Sequence, residues 1–353
     1  MKIWLATGGT GGHIFPALAV GAELLRRGHK VIVSSDGRGM AMVKKGKKFN
    51  TAFVWAGGVG GKSKIKQVIA LGKIVMSAAA LTLRFMIFRP NRVVAFGGYA
   101  SVPAVLAARV WKIPTLLHEQ NAAIGRANKF SLRWIKTLMT SFPKVEGIGQ
   151  KAKGKEQLKI VYTGLPVRKD FTPSAFCLLP SAFRLLITGG SLGAQILDET
   201  VPQSVAALPS ALQKKLFITH QTRPENVAKL QQFYAGLGIR ANVLSFIHDM
   251  AGEIAAASLI IGRSGASTVA ELQTVGRPAI FVPLSINPDQ AANAASFAAQ
   301  GAGFAVAQDK FTVKWLSATL EELFDNPARL EKMAGKALVP NNAVENIVAE
   351  IER

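Results

Sequence analysis

Ile3-Trp4-Leu5-Ala6-Thr7-Gly8-Gly9-Thr10-Gly11-Gly12-His13 runs a short apolar stretch straight into a glycine loop, and Leu185-Leu186-Ile187-Thr188-Gly189-Gly190-Ser191-Leu192-Gly193-Ala194 repeats the layout in the second half. A short continuous apolar run bounded by glycine reads as a strand buried on both faces. Glycine between strand and helix lets the backbone approach a ligand closely. The first N–H groups of the helix that follows stay open to an anion. Two such loops in one chain predict two similar α/β halves serving one phosphate-bearing substrate.

Working outward, strands are expected at Ile3–Ala6, Val31–Ser34, Val93–Phe96, Thr115–His118, Leu138–Thr140 and Ile160–Tyr162. A first helix runs from about Pro16 to Arg27, with proline near its start and Gly28 just past its end. The second half continues with Leu185–Thr188, Leu216–Thr219, Val243–Phe246, Leu259–Ile261, Ala279–Val282 and Phe304–Val306. Strands alternating with helices imply an α/β fold of two doubly wound parallel sheets. The expected domains are residues 1–163 and 164–340, joined near Gly164-Leu165-Pro166, with a last helix, 341–353, packing back on the first domain.

At 353 residues each half is large enough for its own core. A single cysteine, Cys177, suits a reducing compartment. The N-terminus lacks a signal-peptide layout. No apolar run is expected to reach the roughly 18 residues that span a bilayer; Ile74–Leu83 is short and carries Ser77 and Thr82. A soluble cytosolic protein is therefore expected. The net charge of +22 is lopsided: residues 1–165 hold 27 Lys and Arg against 5 Asp and Glu, while the remainder balances at 16 each. Such a field attracts nucleic acid, an anionic membrane or a phosphorylated substrate. Nucleic-acid binders show basic residues interleaved with aromatics, or a recognisable module; neither is found, so no nucleic acid is expected. Lys62, Lys64, Lys66, Lys73, Arg84 and Arg89 lie among Ile69, Leu71, Ile74, Val75, Leu81, Phe85, Ile87 and Phe88. This stretch reads either as an attachment to anionic lipid or as core helices whose lysines reach outward.

The first loop is not a dinucleotide fingerprint, because Ile14 stands where the third glycine belongs, and it lacks the Lys-Ser/Thr of a Walker loop. Asp36 sits where a dehydrogenase would hold a ribose, which keeps a nucleotide-cofactor enzyme as an alternative. His13 reads as a general base for a sugar hydroxyl or as a residue that merely ties down the loop. Arg263-Ser264-Gly265-Ala266-Ser267-Thr268-Val269-Ala270-Glu271 follows another apolar run; its helix start suits a diphosphate. Glu271 is open to a ribose, or to a capping box with Thr268. His118-Glu119-Gln120-Asn121 and Gly97-Gly98-Tyr99 stand at carboxyl ends of strands, where open α/β sheets bind ligands. There is no Asp-x-Asp and no zinc spacing, so no metal site is expected.

In order and spacing, Gly8-Gly9-Thr10-Gly11-Gly12-His13, Gly97-Gly98-Tyr99, His118-Glu119-Gln120-Asn121, Gly189-Gly190-Ser191-x-Gly193-Ala194 and Arg263 through Glu271 resemble the MurG-type enzymes of glycosyltransferase family 28. Those enzymes add N-acetylglucosamine to undecaprenyl-diphospho-muramoyl-pentapeptide. The resemblance spans essentially the whole chain. It implies a GT-B architecture: two Rossmann-like domains across a deep cleft, UDP-GlcNAc held mainly by the second, and no cofactor. By the same resemblance His13 or Glu119 is the catalytic base. Thr10, Gly11, Gly12, Gly98, Tyr99 and Asn121 line the reaction centre. Arg168, Ser191, Ile247, Ala266, Ser267, Thr268, Val269, Ala270, Glu271 and Gln290 hold UDP-GlcNAc, with Ile247 on uracil, Glu271 on ribose, and Ser191 and the Ala266 helix start on the diphosphate. The chain departs from the pattern at Leu165, where Asn often precedes the proline, and at Asp289 before Gln290.

The implied reaction is inverting transfer of GlcNAc to the 4-hydroxyl of the lipid-linked muramoyl sugar, at the cytoplasmic face of the cell membrane. Partners would be UDP-GlcNAc, the undecaprenyl-linked acceptor, the anionic membrane surface and proteins of cell-wall synthesis. Two alternatives stand beside it: a UDP-sugar epimerase on the same scaffold, and a non-catalytic membrane-binding module.

Overall fold

Lys2–Ala6 form the first strand, β1, and its alternation explains why the run is apolar without a break: Ile3 and Leu5 enter one core while Trp4 and Ala6 enter another on the opposite face. In the computed structural model, which describes residues 1–45, 48–57, 63–148, 158–176, 182–190 and 193–353, the chain divides into two units. The first comprises Met1–Arg168 with Asn341–Arg353, the second Lys169–Pro340.

After β1 the first unit continues through α1 (Gly11–Arg26), β2 (Lys30–Ser35), α2 (Gly37–Lys45), β3 (Asn50–Phe53), α3 (Lys64–Phe88), β4 (Arg92–Ala95), α4 (Val102–Val110), β5 (Thr115–Glu119), α5 (Arg126–Ser131), β6 (Thr137–Thr140) and β7 (Lys159–Tyr162). The second unit has β8 (Phe183–Thr188), α6 (Gln195–Ala206), α7 (Ser210–Gln213), β9 (Leu216–Gln221), α8 (Val227–Gly236), β10 (Arg240–Leu244), α9 (Met250–Ala256), β11 (Leu259–Gly262), α10 (Ala266–Val275), β12 (Ala279–Phe281), α11 (Pro288–Ala299), β13 (Gly303–Ala305), α12 (Val313–Asp325) and α13 (Pro327–Ala337). The last helix, α14 (Ala343–Glu352), belongs to the first unit.

Both sheets are parallel throughout, ordered β3-β2-β1-β4-β5-β6-β7 and β10-β9-β8-β11-β12-β13. Each order reverses beside its first strand, between β1 and β4 and between β8 and β11. These are the switch points at which doubly wound sheets open a crevice beyond the strand ends. Ile347, Val348 and Ile351 of α14 lie fully buried against Val20 and Leu24 of α1. The Asn341 and Asn346 carboxamides donate to the carbonyls of Leu165 and Thr163.

The structure corrects four details of the expected pattern. The edge strand β3 has no counterpart among the expected strands; its four residues, Asn50–Phe53, are too few and too polar to form an apolar run. Helix α1 starts at Gly11 rather than near Pro16, because the Thr10 carbonyl already accepts the N–H groups of His13 and Ile14. Proline in the second turn then costs a single ladder bond. Strand β10 lies earlier than expected: it pairs from Arg240 against Phe217, and Phe246 beyond it is 62% exposed. Finally, α3 is 25 residues long and apolar enough by length and composition to cross a membrane, where only a short run was expected. Lys73 and Arg84 interrupt the apolar run but not the helix. Ala70, Ile74, Ser77, Leu81 and Phe85, spaced at three and four, pack it onto the first unit.

Candidate functional site

In the first unit the loops after β1, β4 and β5 meet at the switch point. A Cβ on Gly8 would lie 2.5 Å from the Cβ of Ala100, so the loop after β1 rests directly on the loop after β4. Gly97 adopts a φ of +83°, and a Cβ there would sit 2.8 Å from His13 Cδ2, 3.1 Å from His13 Nε2 and 3.2 Å from Gln120 Oε1. Three separate loops are thus fitted around the imidazole of His13. Asp36 Oδ1 accepts from the N–H groups of Gly9 and Gly39, which ties the glycine loop to the start of α2. The carboxylate that could have marked a dehydrogenase's ribose site is occupied by the loop itself.

His13 lies in the first turn of α1, with Nδ1 2.8 Å from Oγ1 of the exposed Thr10. Thr10 is the N-cap residue, but its hydroxyl faces the imidazole instead of capping the backbone. Burial lowers the His13 pKa to about 4, so the ring is neutral at pH 7 and carries a lone pair. Gly11 and Gly12 open the same helix, and Gly98, at φ +73°, packs against the Gly8 carbonyl just ahead of Tyr99.

Of His118-Glu119-Gln120-Asn121, expected as a ligand-facing polar edge, the first three are buried and bonded among themselves and their neighbours. Glu119, 1% exposed, accepts from the N–H groups of Asn121 and Gly125 and from the carboxamides of Asn121 and Asn128. Its carboxylate moulds the loop from 121 to 128. His118 Nε2 donates to the Gly164 carbonyl, and burial, opposed by that bond, lowers its pKa to about 4. Asn128 and Gly164 escaped the sequence reading because nothing in their local sequence ties them to His118 or Glu119.

In the second unit, Gly189 is pressed so tightly that a Cβ would meet Ala194 N at 2.3 Å. Ser191 and Leu192 lie outside the described residues, as do Lys62 and Cys177. Helix α10 starts at Ala266 after Gly265, which has extended backbone and no side-chain cap. Thr268 is therefore the third helical residue and not the cap, so the capping-box reading of Thr268 and Glu271 fails. Ser264 is buried and held from two sides: its Oγ donates to the Gln290 carbonyl, and its own carbonyl accepts from Asn293. Gln290 Oε1 accepts from Leu284 N, and Arg263 donates to Val282 O and Gln308 Oε1. These bonds fix the helix start, whose first-turn N–H groups have no partner within the helix and carry the positive end of its dipole. Val269 and Ala270 are buried behind them, and Ile247 is buried in the loop after β10. Arg168 is exposed at the end of the first unit.

The chain was compared with known proteins. Residues 3–140 match the glycosyltransferase family 28 N-terminal domain, and residues 184–351 match the C-terminal domain of that family. A protein of Paramagnetospirillum magneticum is 40% identical over 342 residues, covering 94% of this chain and 90% of its own length. It is named UDP-N-acetylglucosamine–N-acetylmuramyl-(pentapeptide) pyrophosphoryl-undecaprenol N-acetylglucosamine transferase. A protein of the same name from Novosphingobium aromaticivorans is 40% identical over 358 residues, covering 99% of this chain and 91% of its own. Among solved structures, Acinetobacter baumannii MurG superimposes with a TM-score of 0.80 at 31% identity, covering 99% of each chain. A UDP-GlcNAc 2-epimerase from Neisseria meningitidis reaches a TM-score of 0.66 at 14% identity over 100% of this chain and 99% of its own, a likeness of fold alone.

Proposed function

The chain belongs to glycosyltransferase family 28, and from that membership we infer that it transfers N-acetylglucosamine from UDP-GlcNAc to the muramoyl-pentapeptide of diphospho-undecaprenol, converting lipid I to lipid II in peptidoglycan synthesis. The observation that carries this reading is the whole-length relationship, at 40% identity, to enzymes named for that reaction. The epimerase alternative has only a distant neighbour of the same fold behind it.

In the transfer, the acceptor's 4-hydroxyl oxygen bonds to the anomeric carbon while the bond from that carbon to UDP breaks. The hydroxyl proton passes to a base, UDP departs with the bonding pair, and the α donor gives a β product. We assign the base to His13 and a positioning role to Glu119. His13 is neutral and reachable past Thr10, whereas the Glu119 carboxylate is buried under four donors. A base with a pKa near 4 is weak, and in this reading an anionic acceptor bound close by raises its proton affinity. Negative charge developing on the departing diphosphate meets the N-terminus of α10 and, in this reading, Ser191, Arg168 and Gln290. Glu271 takes the ribose hydroxyls, and the backbone of Ile247 takes uracil. Thr10, Gly11, Gly12, Gly98, Tyr99 and Asn121 frame the acceptor sugar. Incubation with UDP-GlcNAc alone, and then with a soluble lipid-linked acceptor analogue, tests the reading. Disaccharide is expected only with acceptor, and epimerised sugar without acceptor would overturn it.

Because the acceptor is lipid-borne, we further propose that the protein sits peripherally on the cytoplasmic face of the membrane. The exposed side of α3 supports this. Ile65, Val68, Leu83 and Ile87 stand in solvent beside Lys64, Lys66, Lys73 and Arg84, in the half that carries the whole positive excess. Other cell-wall synthesis proteins are a second class of occupant for this face; binding of the isolated enzyme to lipid vesicles separates the two.

A further inference from the structure

Gln120 is 2% exposed, and its amide is held one way round. The Gly164 carbonyl only accepts, so His118 Nε2 carries the proton and His118 Nδ1 presents a lone pair. Gln120 Nε2 donates both to that Nδ1, at 3.0 Å, and to the His118 carbonyl, at 3.1 Å. Turning the amide over would set its oxygen against two acceptors. Gln120 Oε1 must therefore face away from His118. It is buried there with no hydrogen-bond partner among the described residues. It borders the space kept open by Gly97, and so does the edge of the His13 imidazole, with Cδ2 and Nε2.

A buried acceptor left without a donor is destabilising, and a second lone pair at the edge of the same space adds to the penalty. Both penalties fall if the imidazole proton of neutral His13 resides on Nε2. We propose that Gln120 is a positioning residue for the base: its locked amide oxygen holds the His13 proton on Nε2 and leaves Nδ1, which faces Thr10, to accept the proton of the incoming hydroxyl. In the step itself the proton moves from the acceptor oxygen to Nδ1. The oxygen's electron pair forms the new bond to carbon, and UDP leaves with the pair of the bond it breaks. The Nε2–H of the resulting imidazolium then lies at the space that Gln120 Oε1 also borders. An acceptor that orients an imidazole and fixes its tautomer is the role the third member of a catalytic triad plays elsewhere. Here a neutral amide fills it, backed by a second histidine. The proposal rests on the reading of His13 as the base.

Long-range proton–nitrogen correlation spectra of the full-length protein, labelled with 15N-histidine at pH 7, separate Nε2–H from Nδ1–H tautomers. His13→Gln identifies the His13 signals among the five histidines. The expected result is Nε2–H in the wild type. Gln120→Met, which keeps the shape and removes the acceptor, is expected to move His13 toward Nδ1–H. It should lower kcat about 30-fold and leave the KM for UDP-GlcNAc unchanged. An Nδ1–H tautomer in the wild type overturns the proposal, even if Gln120→Met fails to fold. So does a folded Gln120→Met whose His13 tautomer is unmoved. If instead His13→Gln retains its kcat, the base assignment itself falls and Gln120 has nothing to position. That outcome is recognised by activity, not by the spectra.

Discussion

The two units share a strand order, place their glycine loops after the first and fourth strands, and then diverge in how they prepare a site. The first unit builds with side chains. His13, His118, Glu119, Gln120, Asn128 and Asp36 are packed into loops so crowded that a methyl group on Gly8 or Gly97 would collide. The second builds with backbone, presenting an uncapped helix start steadied from behind by Ser264, Asn293 and Gln290. Charge divides the same way: the surplus lies wholly within residues 1–165, and the rest of the chain is neutral. A frame of backbone N–H groups suits an invariant nucleotide diphosphate, which needs recognition but no proton transfer. On the proposed reading, titratable side chains are spent where a hydroxyl is deprotonated, and one fold, used twice, separates holding from reacting.

The largest effect expected from breaking this division comes from the C-terminus. Ending the chain at Pro340 removes Ile347, Val348 and Ile351, each fully buried in the first unit. At about 2 kcal/mol per buried aliphatic the loss is about 6 kcal/mol, within the roughly 5–15 kcal/mol that holds a whole domain together. The first unit should melt while the second keeps its transition. Four of the five tryptophans, Trp4, Trp55, Trp111 and Trp134, lie in the first unit, so fluorescence follows its loss. A truncated protein that melts like the full chain would show that α14 is dispensable.

Kinetics sharpen the same contrast. His13→Ala should lower kcat about a thousandfold with the KM for UDP-GlcNAc little changed, since it removes only the proton acceptor. Glu271→Gln should raise that KM about tenfold while kcat falls far less. The division of labour would be refuted if the two substitutions affected the same parameter.

Acid probes the side-chain half next. His13 and His118 have pKa values lowered to about 4, against about 6.5 in an unfolded chain. Between those values the unfolded chain binds protons that the native state refuses. Stability contributed by these neutral rings is therefore complete above about pH 6.5 and falls as pH drops toward 4, by up to about 3 kcal/mol for each. Denaturant midpoints followed by tryptophan fluorescence from pH 7 to 4 measure the slope, and His118→Gln should flatten it. An unchanged slope in that variant would place the acid sensitivity elsewhere.

What was legible in the sequence follows from these physical differences. Strands covered on both faces write themselves as continuous apolar runs, so nearly all of both sheets can be read. The four residues of β3 at an exposed edge cannot. The glycine loops announce themselves because close packing admits nothing larger. The Glu119 cluster does not, because Asn128 and the Gly125 amide reach it only through the folded loop. A run of four polar residues at a strand end looked like a ligand edge; burial turned three of them into the support behind it. For Glu271 the choice between cap and ligand contact depended on where α10 begins. Gly265 as the cap removes the first of these, and the ribose contact is the role proposed above.

The smallest expected effect lies on α3, where sequence and fold together set up the last asymmetry. Its inward face, Ala70, Ile74, Ser77, Leu81 and Phe85, packs on the first unit. Its outward face does not: Leu83 is 68% and Ile87 83% exposed. Leu83→Glu with Ile87→Glu should leave the melting temperature within a degree or two, since neither side chain contributes to the core. Affinity for vesicles rich in anionic phospholipid should fall about tenfold to a hundredfold, because two aliphatic side chains no longer enter the interface and two negative charges face the lipid. Raising the salt should weaken wild-type binding without abolishing it, as the apolar part is not screened. Activity on a soluble acceptor analogue should be unchanged in the same variant. If vesicle binding survives both substitutions, the membrane is met by another part of the basic half, and α3's exposed ridge is left for a protein partner.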